Sequence, residues 1–137
     1  MTVWLAGMEI TADRLNDYSP DAQTSTGLTA ASGFSVADFY ALRSKGTVSI
    51  DITLTRTGSE IDGSTGNIAN TDCCTLPSGW RPDVIGLTIG FWGDGVASGD
   101  FSIDTTGICQ MRSSNGQNIS NGSTIRLTAT FNLGNVA

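Results

Sequence analysis

Histidine is absent from this chain and lysine occurs once, at Lys45, so the usual general base and triad organiser are missing. A serine or cysteine nucleophile would need that lysine or a carboxylate beside it. Lys45 precedes Gly46 in a turn-like context, a poor setting for a Ser-Lys dyad. The remaining enzymatic chemistry is carboxylate-pair hydrolysis of a glycan, with members of Asp94, Asp100 and Asp104 facing one another across a cleft. Against it stands the ordinary role of aspartate, which solvates turns and hairpin ends. That second role outweighs the first, and no catalytic residue is assigned.

Metal and phosphate chemistry fare no better. Cys73 and Cys74 are adjacent and Cys109 is distant, a spacing that fits no zinc motif. Three small half-buried hydrophobes in a reducing cell is the favoured reading, and a bridge from Cys73 or Cys74 to Cys109 stays open. Residues 94–100 carry oxygen ligands in the wrong register for a calcium loop. The glycines of residues 93–99 precede a strand where a phosphate cradle would precede a helix. No metal or cofactor is expected. Asn118 and Asn121 match the glycosylation sequon but read more simply as turn residues. Binding is easier to support: Trp92, followed by Asp94, has the ring and acidic neighbour that hold sugars in many sites. The same ring would serve equally in a core or a subunit interface. Trp92, Asp94 and Asp100 are therefore the ligand or interface candidates.

The elements that position these residues read as strands. Of 137 residues, 39% are hydrophobic and only 15% charged, with Ser, Thr, Gly and Asn filling the rest, a composition that suits β-structure with polar turns. The net charge is −6, which argues against nucleic acid because phosphate neutralisation needs clustered Lys and Arg. No apolar run approaches a membrane span and no signal peptide is recognisable, so a soluble, unexported protein is expected.

Two parts are expected along the chain. Residues 1–32 form an N-terminal attachment segment and extended arm. In it, Trp4, Leu5, Met8, Ile10 and Leu15 interleave with polar residues, and Thr11 caps a short helix over 11–16. Those apolar side chains need another surface, either their own domain or a different subunit. Residues 33–137 form the second part. Val48, Ile50, Ile52 and Leu54 alternate with polar residues over 47–57, as do Ile125, Leu127, Ala129, Phe131 and Leu133 over 124–133. Residues 84–92 alternate too, with Ile85, Leu87, Ile89 and Phe91 on one face and Gly86, Thr88, Gly90 and Trp92 on the other. Residues 99–104 and 107–112 predict a hairpin turning at Thr105-Thr106-Gly107. Six or so strands and no long helix predict an all-β, jelly-roll-like antiparallel sandwich, with a closed barrel as second choice.

Between two of these strands, Leu76, Pro77, Ser78, Gly79, Trp80, Arg81 and Pro82 make a rigid crossover. Its prolines fix φ and Gly79 permits a positive φ. Trp80 is expected to cover an end of the core, and Arg81 to bond carbonyls or Asp83. This segment resembles the LPxGYRP crossover of bacteriophage tail-fibre and receptor-binding-protein head domains, with Trp80 in place of the tyrosine. The hairpin carrying Gly99, Phe101, Ile103, Gly107 and Ile108 is similar to one in those heads. Separately, Trp4, Gly7, Thr11, Ala12, Leu15 and Asn16 resemble the start of small virion proteins of actinobacterial phages.

The resemblance implies a virion structural protein without catalysis, commonly a homotrimer, whose N-terminus attaches to other virion proteins of tail or capsid. It also implies contact between the head and host cell-wall saccharide. The alternative it leaves open is a purely structural capsid decoration or head-fibre protein.

Overall fold

Alternation of apolar and polar residues at period two commits a segment to a half-buried strand, and the strands form where that pattern is strongest. The structure is a computed structural model describing residues 22–134. The helix expected over 11–16 and the apolar side chains of Trp4, Leu5, Met8, Ile10 and Leu15 lie outside the described residues.

The described residues form nine strands: β1 (Ala22–Thr24), β2 (Thr29–Ala30), β3 (Phe34–Ser44), β4 (Thr47–Arg56), β5 (Asn67–Thr75), β6 (Leu87–Gly93), β7 (Ser98–Asp104), β8 (Ile108–Ser113) and β9 (Thr124–Asn132). No described residue is helical. The strands make one antiparallel sheet in the order β1-β3-β4-β9-β6-β7-β8-β5-β2. Its two outermost strands, β1 and β2, are joined by residues 25–28 alone. A sheet whose opposite edges share one short segment has to curl, and the curl encloses the core. Ile50, Ile52, Leu54, Trp92, Phe101, Ile103, Ile125 and Leu127 are all buried there.

Both predicted turns form. Lys45 (φ 51) and Gly46 (φ 81) take the paired positive φ of a two-residue hairpin between β3 and β4. Gly107 (φ 86) supplies the late positive φ after Thr105 and Thr106. Two regions differ from expectation. The β6 strand starts at Leu87, leaving Val84 and Ile85 in the preceding bend. Part of the expected arm is sheet, since Ala22 pairs with Arg43 and Thr29 with Thr75. A backbone ladder holds these short strands where their own composition does not.

The ladders also give the sheet two distinct ends. Ala22 lies beside Arg43, Thr47 beside Asn132 and Leu87 beside Asp104, so all sit at the end marked by Lys45. Thr55 lies beside Thr124 and Gly93 beside Arg126, marking the opposite end. The crossover at residues 76–82 closes the Lys45 end. Leu76 is fully buried and its amide donates to the Gly107 carbonyl at 2.8 Å. Arg81 Nε donates to the Leu76 carbonyl at 2.8 Å, and Gly79 takes φ +88. Trp80 packs against the core with the Arg43 guanidinium 5.4 Å from its ring centroid. Pro82 is buried and Pro77 is half-buried.

Candidate functional site

Trp92 follows from its strand register. Phe91 and Gly93 face outward, so Trp92 points into the curl and is fully buried, with Nε1 donating to the Ser113 carbonyl at 3.0 Å. Of the roles open to this ring, core packing is the one the structure shows, and no face of it is left for a sugar or a neighbouring subunit. Gly90 makes the burial feasible. A Cβ there would lie 2.5 Å from Phe101 Cε1 and 2.7 Å from the Thr128 carbonyl, so only glycine lets β6 settle onto the core. The aromatic ring of β6 that reaches solvent is its neighbour, Phe91, directly opposite Asp100 on β7.

The three ligand or interface candidates therefore do not converge. Asp100 is exposed on the outer face of β7. Asp94 sits in the β6–β7 turn, where its Oδ1 accepts from the amides of Val96 at 2.9 Å and Ala97 at 2.6 Å. Its backbone amide donates to the Ala97 carbonyl at 2.9 Å, closing the turn. Asp104, the third aspartate of the glycosidase reading, accepts at Oδ1 from the Thr106 amide, the Thr106 hydroxyl and the Ile108 amide at 2.9, 2.6 and 3.1 Å. Partial burial raises its carboxyl, but bonds from the Thr106 hydroxyl and from the amides of Ile108, Thr106 and Gly107 outweigh that and hold it below the ordinary value. A carboxyl held ionised by its own turn is a poor general acid. Asp94 and Asp104 are also at opposite ends of the hairpin, because Leu87 pairs with Asp104 and Gly93 with Ser98.

One polar cleft is built by loops that sequence reasoning did not bring together. Residues 58–66, 93–97 and 114–123 meet at the end opposite Lys45 and enclose about 510 Å³ lined by Glu60, Ser64, Asp94, Val96, Gln117, Asn118, Ser120 and Ser123. Their side chains brace the walls. Asn118 Nδ2 donates to Glu60 Oε1 at 3.1 Å, and its Oδ1 accepts from the Gly63 amide at 2.9 Å. Asn115 Nδ2 donates to the Val96 carbonyl at 3.0 Å. Ile61 and Ile119 pair in an isolated bridge beneath, both buried. Such a site offers carboxylates and amides to hydroxyl groups, with Val96, 74% exposed, as its apolar contact.

A second feature lies on the outer face of the sheet. A groove of about 460 Å³ runs beside Phe91 between Asp51, Thr53, Arg126 and Thr128. Arg56, not singled out in the sequence, is buried at the cleft end, donating from Nε to the Ser59 carbonyl at 2.9 Å and from Nη1 to the Gly33 carbonyl at 3.2 Å. Its plane lies over Phe34 at 4.7 Å, so it ties the β2–β3 turn to the loop after β4.

The cysteines are free and buried. Cys74 pairs with Cys109 across β5 and β8, and Cys73 Sγ donates to the Cys109 carbonyl at 3.3 Å. Contact with Cys109 together with burial pushes the Cys74 thiol up, and contact with Cys74 together with burial pushes Cys73 up. Among the described residues no group of three or more Cys, Asp or Glu is placed to hold a metal ion, and no helix is long and apolar enough to cross a membrane. No family model matches the chain, and no curated protein matches it.

Proposed function

We propose that this chain is a non-catalytic structural protein of a bacteriophage particle: a tail-fibre-like head, homotrimeric, held to the virion by its N-terminal segment and contacting host cell-wall saccharide. The single observation that carries this reading is the polarity of the sheet. Residues 1–21 join the sheet at Ala22, at the Lys45 end, and the polar cleft opens at the other. An anchor at one end with a hydroxyl-binding cleft at the other is the layout an adsorption head needs. In this reading the curled sheet is a jelly-roll-like sandwich, residues 11–16 are a short helix, and Trp4, Leu5, Met8, Ile10 and Leu15 make the attachment. The likeness of residues 76–82 to the tail-fibre crossover supports it, because Trp80 and Arg81 close the core at the anchored end.

Binding of purified protein to isolated host cell wall tests the reading. Glu60→Ala with Gln117→Ala removes a carboxylate and an amide from the cleft and is expected to lower retention at least tenfold while the circular dichroism spectrum shows the sheet still folded. Equal retention of wild type and variant refutes the cleft. The alternative, a capsid decoration or head-fibre protein, is favoured by one feature: the cleft contains no aromatic ring on which a sugar could stack. That alternative predicts no retention by either protein and antibody labelling of the capsid.

A further inference from the structure

The outer face of β6 is apolar where its neighbours are polar. Leu87, Ile89 and Phe91 are 44%, 56% and 56% exposed, and Val84 and Ile85 in the bend before them are 53% and 61% exposed. Together these side chains open on the order of 500 Å² of apolar surface, near the upper limit for the largest patch on a monomer. The flanks differ in sign. On the β9 side Thr128 lies opposite Phe91 and Arg126 opposite Gly93. On the β7 side Asp100 lies opposite Phe91, Ser102 opposite Ile89 and Asp104 opposite Leu87. Arg126 on β9 and Asp100 on β7 thus border the stripe two residues apart along the strand, about 7 Å, within reach of an arginine side chain, with Asp51 one strand beyond β9.

We propose that a second copy of this chain covers the β6 stripe, in a cyclic assembly whose axis runs parallel to that strand. The charges select the axis. Rotation about a line parallel to β6 preserves height and brings the β9 flank of one copy against the β7 flank of the next, so Arg126 meets Asp100 of the next copy. Rotation about a line across the strands would set Arg126 against Arg126 and Asp100 against Asp100, and like charges repel. The groove beside Phe91 lies on the β9 flank and receives the edge of the neighbouring subunit. The area is adequate. An apolar stripe of this size with its polar flanks fills the core and rim of an interface of about 800 Å² per partner. Only the copy number rests on the proposed trimer; the interface holds for two copies or three. With this axis every polar cleft opens at one end of the assembly and every N-terminal segment enters at the other.

Light scattering on the full chain tests the interface separately from saccharide binding, because the cleft is at the strand end and a dissociated subunit keeps it. Wild type is expected at two or three times 14.3 kDa. Ile89→Asp, at an exposed position, is expected to give the monomer mass with the circular dichroism spectrum unchanged. Asp100→Arg and Arg126→Asp are each expected to weaken association about tenfold, and the two together to restore it. A wild-type monomer at high concentration, or an Ile89→Asp variant that keeps the wild-type mass, overturns the interface. Single charge variants that weaken association with no restoration in the double overturn the axis.

Discussion

Replacing Trp92 with alanine should damage the fold rather than a binding surface, and the structure fixes the size of the damage. The indole is fully buried between β6 and its neighbours. A tryptophan buries about 150–250 Å², so at roughly 25 cal/mol per Å² its burial contributes on the order of 4–6 kcal/mol. Large-to-small replacements of buried aromatics cost about 3–5 kcal/mol, and the Ser113 carbonyl loses its indole donor as well. We take about 4 kcal/mol, a large share of the 5–15 kcal/mol of a typical domain. For a chain of this size that lowers the melting temperature by roughly 12–20 °C. Thermal unfolding followed by circular dichroism, at one fixed protein concentration because association raises apparent stability, measures it. Trp92→Phe, which keeps most of the volume, should lose less than half as much. If Trp92→Ala melts within about 5 °C of wild type, the core assignment of this ring is wrong.

Gly90→Ala places a Cβ against the Phe101 ring and the Thr128 carbonyl and should cost about 1–3 kcal/mol by overpacking; an unshifted urea midpoint would show that β6 sits farther from the core. Because the folded Asp104 carboxyl is lowered, its contribution is present above the unfolded pKa of about 4 and is lost as pH falls through the folded value. The gap in urea midpoint between wild type and Asp104→Ala should therefore be widest at neutral pH and narrow in acid, and a gap independent of pH contradicts the turn-capping role. Cys73, Cys74 and Cys109 are buried, so a thiol reagent should label none of them in the folded protein and all three in denaturant. Fast labelling of the native state would place a thiol at the surface.

Regular patterns made most of the sheet legible. Strict alternation in β4 and β9 leaves one way to bury Val48 to Leu54 and Ile125 to Phe131, and a one-residue slip would turn each set outward. Lys45-Gly46 and Thr105-Thr106-Gly107 announced their turns by residue order. In β6 the alternation was equally plain, but alternation does not say which face is the core. The face carrying glycine and Trp92 went in because Gly90 admits the Phe101 ring, leaving the bulkier aliphatic face outside. The β1 and β2 strands were invisible because two or three residues carry no period, and partners more than ten residues away hold them. The cleft escaped notice for a related reason. Glu60, Asp94 and Asn118 lie on three loops distant in sequence, and only the ladder order brings those loops to one end. Asp94 stands beside Trp92 in sequence, but in space it lines the cleft with Glu60 and Asn118. Arg56 takes the next inward position of the β4 alternation after Leu54, but an arginine at the end of an apolar series reads as the place where burial stops.

The orientation of the head on a particle tests the central claim most directly. In a cryo-electron microscopy reconstruction of virions carrying this chain, the turn at Lys45-Gly46 and the crossover at residues 76–82 should face the particle. The loops at 58–66, 93–97 and 114–123 should point outward, with the polar cleft open to solvent. A head mounted with those loops against the particle, or particles that lack the chain, would contradict the account.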